Sequence, residues 1–191
     1  MEVGFIIYEG MTTLDFLGVY DPVTRLNTMG FMDDLNWDVC AYTEEVRDIT
    51  GLEIKPTEIR EPLSKYDLVV VPGGFSSEEW IEKEGFIDWI RTSEECDLKA
   101  SVCTGSLILG EAGYLKDKKA TTHPNAFEGL KKYCASVVDD RIVDEGNVIT
   151  ARGVTSSIDL GLYLCEKITD RETKEKIRKQ MDYMPETTPN P

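Results

Sequence analysis

Three apolar runs punctuate the chain between residues 3 and 102. Val3 to Tyr8 reads VGFIIY, Tyr66 to Val71 reads YDLVVV, and Ala100 to Val102 closes a shorter run that leads into Cys103. Runs of this length without polar alternation predict strands buried on both faces. Between and after them the spacing turns helical. Leu14 to Asn27 predicts a helix that Pro22 breaks or restarts, because an interior proline removes one backbone donor and crowds the preceding turn. Met29 to Asn36 predicts a polar connection and Trp37 to Tyr42 a second short strand. Ile49 to Ile59, interrupted by Gly51 and Pro56, predicts a strand or hairpin.

Ser76 and Ser77 offer an N-cap, with Glu78 and Glu79 in the turn that follows. Trp80, Ile81, Ile87, Trp89 and Ile90 then supply the apolar side of one or two short helices. Past the central block, Lys119 to Thr122 predicts a brief strand and Asn125 to Tyr133 a helix. Ala135 to Val138, Ile142 to Val143 and Val148 to Thr150 predict β segments around a turn at Gly146-Asn147. Ser156 to Lys167 predicts a helix capped from Thr155 or Ser156, and Asp170 starts a last one ending near Tyr183, before a frayed PETTPNP tail. Strands alternating with helices imply an α/β fold with a mostly parallel central sheet and helices on both faces.

Within this pattern, Leu98 to Gly113 (LKASVCTGSLILGEAG) reads as strand, abrupt turn and helix, with Cys103 at the corner. A side chain at such a corner is pushed to the sheet edge and faces the N-terminus of the next helix. That position is expected to ease loss of the thiol proton, and the thiolate is the nucleophile. The serine counterpart is the nucleophile elbow of hydrolases. A structural cysteine packed as a small hydrophobe remains the alternative. The small residues Ser101, Thr104, Gly105 and Ser106 around it favour the elbow.

At 191 residues the chain is expected to form one domain, 1–191, and to bury a real core. Its composition, 41% hydrophobic and 30% charged, is that of a folded globular protein. A net charge of −15 opposes binding to nucleic acid and to anionic membrane surfaces. No apolar run approaches the roughly 20 residues of a membrane helix. With VGFIIY following directly on Met1-Glu2, no leader is evident, and a cytoplasmic location is expected. Five widely spaced cysteines without a C-x-x-C oppose a disulfide framework or a structural zinc site, and the single histidine, His123, opposes a histidine-rich metal site.

Ligands in such a sheet gather at the C-terminal strand ends, where three loops converge. The first carries Asp15, which either caps a helix or lies over the cysteine as an acid and base with a raised pKa. The second carries Gly73 and Gly74, whose amides could face a developing negative charge, or which simply form a turn. The third is the elbow, where Thr104 supplies an N–H to an anion hole and a hydroxyl to substrate, or merely starts a helix. His123 stands as a second base for Cys103 or as a packed residue beside Pro124. Cys40, Cys96, Cys134 and Cys165 have no supporting neighbourhood, and the acidic run at Asp139, Asp140, Asp144 and Glu145 reads as a solvated edge.

On these residues the chain resembles the ThiJ/PfpI superfamily along nearly its whole length. The likeness runs from VGFIIYEGMTTLDFLGVYD through DLVVVPGG and SVCTGSLILGEAGYLKDKKATTH to GVTSSID. The resemblance implies a flavodoxin-like three-layer sandwich with a cysteine nucleophile elbow. Within the superfamily the chain is most similar to isonitrile hydratases and to the sensor domains of certain AraC-type regulators. Protease-like members place His after the cysteine, where this chain has Thr104; glyoxalase-like members carry Glu where this chain has Asp15. The absence of a helix-turn-helix after residue 191, with the acidic charge, weighs against the regulator. Some hydratases also continue beyond the point where this chain stops.

The resemblance therefore implies a lyase that hydrates an isonitrile to an N-substituted formamide. Cys103 and Asp15 would be catalytic, and Thr104, Gly73 and Gly74 would position substrate, with a small-molecule substrate, no cofactor or metal, and a homodimeric state. A glyoxalase- or deglycase-like activity on small aldehydes, with His123 as base, and a non-enzymatic cysteine redox or small-molecule sensor are the alternatives.

Overall fold

The computed structural model describes residues 1–184. In chain order its elements are β1 (Glu2–Ile7), α1 (Thr13–Thr28), β2 (Asn36–Ala41), β3 (Val46–Arg47), β4 (Glu53–Ile54), β5 (Glu58–Ile59), β6 (Leu68–Val71), α2 (Ser77–Ile81) and α3 (Glu84–Arg91). There follow β7 (Leu98–Val102), α4 (Gly105–Glu111), β8 (Lys119–Ala120), α5 (Phe127–Leu130), β9 (Ser136–Val137), β10 (Ile142–Asp144), β11 (Val148–Ala151), α6 (Ser156–Ile168) and α7 (Arg171–Gln180).

Seven strands form one sheet in the order β10-β11-β7-β6-β1-β2-β5, parallel throughout except for the β10–β11 pair. The apolar runs occupy its centre: β6 and β7 are buried along their whole length, and β1 from Val3 onward. Helices cover both faces, with α1, α6 and α7 packed together as one group and α2 to α5 as the other. From β1 the chain steps outward to β2, then returns to the opposite side of β1 for β6. The switch point of the sheet thus falls between β1 and β6, where the strand C-termini open a crevice.

Pro22 does not break its helix; α1 runs unbroken from Thr13 to Thr28. The carbonyl that Pro22 cannot serve belongs to Gly18, and that carbonyl lies against Gly161 of α6. The Pro22 carbonyl itself accepts the Cys165 thiol at 3.3 Å. Gly18 faces Ser157 and Gly161 faces the Pro22 ring so closely that a Cβ at either position would collide. Tight helix-on-helix packing therefore holds the proline in place, a tertiary effect that local pattern does not reveal.

Other elements differ more modestly from expectation. The 49–59 region divides into a β3–β4 hairpin, which includes Val46 and Arg47, and the edge strand β5. The 125–133 segment is a 3-10 turn, Pro124–Ala126, followed by the single helical turn of α5. Neither Ser76 nor Ser77 caps α2: their hydroxyls donate instead to the carbonyls of Glu9 and Gly74. Thr155 and Ser156 likewise make no side-chain cap, whereas Asp170 caps α7 by accepting from the Thr173 amide at 2.8 Å. The PETTPNP segment lies outside the described residues. Among those described, no helix is long and apolar enough to cross a membrane.

Candidate active site

Cys103 occupies the corner between β7 and α4 with φ at +53°, a left-handed conformation that non-glycine residues rarely adopt. Its surroundings hold it there. The Cys103 amide donates to the Ala151 carbonyl at 3.0 Å, and its own carbonyl accepts the hydroxyls of Thr122 at 2.9 Å and Ser106 at 3.1 Å. Backbone strain of this kind persists only where neighbours over-determine it. Gly105 makes the bend feasible, since a Cβ there would meet the Pro72 carbonyl oxygen at 2.7 Å.

Asp15 sits in the first turn of α1, wholly buried, and is not the cap; Thr12 takes that position. One carboxyl oxygen, Oδ2, accepts the Gly73 amide at 3.0 Å. The other, Oδ1, has no donor at full hydrogen-bonding geometry, although the Cys103 thiol is near enough to influence the carboxyl. Burial pushes the Asp15 pKa from 3.8 up to about 7, against the opposing pull of the Gly73 amide and the Cys103 thiol.

The thiol differs from the sequence expectation. Burial pushes Cys103 up to about 12, the Asp15 charge adds to the rise, and the Thr104 amide and hydroxyl oppose it. A cysteine only 6% exposed beside a carboxylate loses more hydration than a seven-residue helix can return through its dipole. The resting residue is therefore a thiol, and a thiolate forms when a neighbouring base takes its proton. The carboxyl beside the sulfur is that of Asp15.

Thr104 belongs to a small polar network. Its Oγ1 accepts the Gly74 amide at 2.9 Å, lies 3.0 Å from the Gly74 carbonyl, and lies 2.7 Å from Ser77 Oγ. Ser77 Oγ lies in turn 3.0 Å from the Tyr8 hydroxyl, which donates to the Pro72 carbonyl. Burial holds Tyr8 far above the ordinary phenol range, so it remains a neutral donor. Gly73 and Gly74 consequently do not present free amides: one is engaged by Asp15 and the other by Thr104. Gly73 is also required sterically. A Cβ on it would lie 2.5 Å from the Thr104 nitrogen and 2.8 Å from Cys103 Cβ.

Above the sulfur lies a cavity of about 540 Å³, lined by Thr12, Gly74, Phe75, Ser77, Glu78, Cys103, Thr104, His123, Asn125, Ala126 and Val154. This volume suits a small organic molecule. The structure thus brings Cys103, Asp15, Thr104, Gly73 and Gly74 together. It also brings His123 to the cavity wall, where Nδ1 accepts the Asn125 amide at 3.2 Å. Tyr8, Phe75, Ser77 and Glu78 escaped sequence reasoning as site residues: Tyr8 read as strand, and the other three as loop and helix start. The PGG turn ahead of them was the available signal, because it brings the next residues back over the strand ends.

The remaining cysteines are thiols with structural partners. Cys40 donates to Tyr66, Cys96 to the Leu63 carbonyl, Cys165 to Pro22 and Cys134 to Leu130. Among the described residues no group of three or more His, Cys, Asp or Glu side chains is arranged to hold a metal ion.

Comparison with known proteins places these features in context. A family model described as the DJ-1/PfpI family matches residues 1–167. The isonitrile hydratase of Pseudomonas putida is 35% identical over 187 residues, which span 97% of this chain and 79% of that protein. Protein DJ-1alpha of Drosophila melanogaster is 29% identical over 181 residues, 92% of this chain and 81% of that one. The crystal structure of a ThiJ/PfpI family protein from Pseudomonas syringae superposes with a TM-score of 0.88 at 27% identity, covering 97% of this chain and 76% of the other.

Proposed function

The chain belongs to the DJ-1/PfpI family, and from that premise we propose that it hydrates a small isonitrile to the N-substituted formamide. The observation that carries this reading is the pair at the elbow: a buried carboxyl ionising near pH 7 beside a strained cysteine at the base of a cavity. Sequence similarity to an isonitrile hydratase over 97% of the chain supports it.

In this scheme Asp15 accepts the Cys103 proton as the sulfur attacks the terminal isonitrile carbon. It then delivers that proton to the same carbon, and the product is a thioimidate, Cys103–S–CH=N–R. Asp15, again a carboxylate, removes a proton from water as the oxygen adds to the thioimidate carbon, and passes that proton to the nitrogen. The tetrahedral adduct collapses to the formamide: Asp15 takes the hydroxyl proton as the C=O bond forms and the C–S bond breaks, and it returns that proton to the departing cysteine sulfur. One molecule of water is consumed, and nothing is oxidised or reduced. The Thr104 amide and hydroxyl, both of which favour the thiolate, steady the sulfur as it acquires and sheds charge. Assembly as a homodimer is proposed on family resemblance alone.

Incubation with cyclohexyl isocyanide tests the reading directly. Formamide appears with the native protein and not with Cys103→Ala; absence of product with the native protein overturns it. His123 on the cavity wall favours one second reading, a glyoxalase-type conversion of a small aldehyde with His123 as base. Hydration is lost in Asp15→Asn and largely kept in His123→Ala, whereas aldehyde chemistry through His123 reverses that order.

A further inference from the structure

Among the described residues, the cavity wall carries one carboxylate, Glu78, and neither lysine nor arginine. Asp15 lies beside the sulfur and adds a second carboxyl to the same region. The Nδ1 of His123, on the same wall, accepts the Asn125 amide at 3.2 Å. Apolar surface comes from Phe75, Ala126 and Val154, with the Phe75 ring 83% exposed.

We infer that the site admits small substrates that are neutral or cationic and carry an apolar substituent, that it turns away carboxylate- and phosphate-bearing ones, and that Glu78 sets this choice. A bound anion would shed water beside a carboxylate with no ammonium or guanidinium to replace it. A concave wall of one sign also concentrates its field on whatever enters. The inference names the substrate class of the proposed hydratase, but it depends on that reaction only for the identity of the reacting group. Glu78 is exposed at the start of α2 and makes no ion pair among the described residues, so its charge is free to act on an entering molecule.

The test uses two thiol reagents of similar size and opposite charge: 2-(trimethylammonium)ethyl methanethiosulfonate and 2-sulfonatoethyl methanethiosulfonate. Each forms a mixed disulfide with Cys103 and releases methanesulfinate. Peptide mass analysis reports the rate at Cys103 separately from Cys134, normalised to a free-cysteine peptide. The cationic reagent is expected to lead by about tenfold or more. Glu78→Gln narrows that lead to less than about threefold, as does 0.5 M salt, which is on the order of a 4 Å screening length. Glu79→Gln, which alters the same net charge outside the cavity, leaves the lead in place and so separates Glu78 from the overall −15.

A parallel turnover series compares cyclohexyl isocyanide with isocyanoacetate, and kcat/KM falls about tenfold for the anion. Equal rates for the two reagents, no modification of Cys103 by either, or equal effects of Glu78→Gln and Glu79→Gln would overturn the inference. Charge selection at Cys103 without turnover of any isonitrile would instead overturn the hydratase reading and leave the inference standing.

Discussion

Asp15 and Cys103 ionise as a pair, although 88 positions separate them in the chain. The carboxylate raises the thiol, and the thiol in turn opposes the rise of the carboxyl caused by burial. Burial raises both groups, the carboxyl to about 7 and the thiol to about 12, so the carboxyl gives up its proton first.

The pH dependence of turnover follows from this order. In the proposed scheme the singly deprotonated pair is the form in which Asp15 takes the thiol proton and passes it on. A plot of kcat/KM against pH is therefore expected to rise about tenfold per unit below pH 7 and to level off above it, with one apparent pKa near 7. A flat profile between pH 5 and 9 would contradict the pairing.

Asp15→Asn separates activity from stability. On the proposed mechanism hydration is expected to be lost, because an amide cannot relay the proton. A carboxyl whose folded pKa is raised favours the folded state below its unfolded value, near 3.8, and that advantage disappears as pH climbs through about 7. Asn keeps an acceptor for the Gly73 amide and never ionises. The variant is expected to match the native protein at pH 4 and to exceed it at pH 8 by up to roughly 4 kcal/mol, seen in urea denaturation at the two pH values.

Thr104 makes two contributions that a substitution series resolves. Thr104→Ala removes the hydroxyl that helps hold the thiolate and leaves the buried Gly74 amide without its acceptor. kcat is expected to fall about 10- to 100-fold, with a stability loss of about 1–3 kcal/mol. Thr104→Ser restores the oxygen and most of both quantities.

Gly73→Ala is expected to disable the site outright. The new methyl would lie 2.5 Å from the Thr104 nitrogen, against backbone that cannot swing aside. Loss of activity should accompany a destabilisation of about 1–3 kcal/mol, the usual range for overpacking. Native-like activity would show that the turn can move.

Strain at the elbow has its own signature. With φ at +53°, Cys103→Gly is expected to be about 1 kcal/mol more stable than Cys103→Ala, since only glycine occupies that region without cost. Equal thermal midpoints for the two variants would mean that the strain is relieved elsewhere.

Much of this was legible in the sequence. VGFIIY and YDLVVV became the buried strands β1 and β6, because a strand covered on both faces has no polar side to conceal. The small residues around Cys103 marked a corner where a larger neighbour would collide, and Gly105 against the Pro72 carbonyl is that corner in atoms. Asp15, Thr104, Gly73 and Gly74 were legible as residues just past strand ends, because parallel connectivity brings those ends to one edge.

What the sequence by itself determined, then, was the alternation of strand and helix, the bend at Cys103 and the edge on which the polar loops meet. Each of these depends on neighbours along the chain. Tertiary structure alone decided the rest. Pro22 stays inside an intact helix because α6 packs against it, and Ser77 and Tyr8 join Thr104 through a crossing of segments far apart in sequence. Cys103 rests as a thiol rather than a thiolate because hydration is lost in three dimensions. How much water a charge gives up depends on what folds over it, and no local pattern records that.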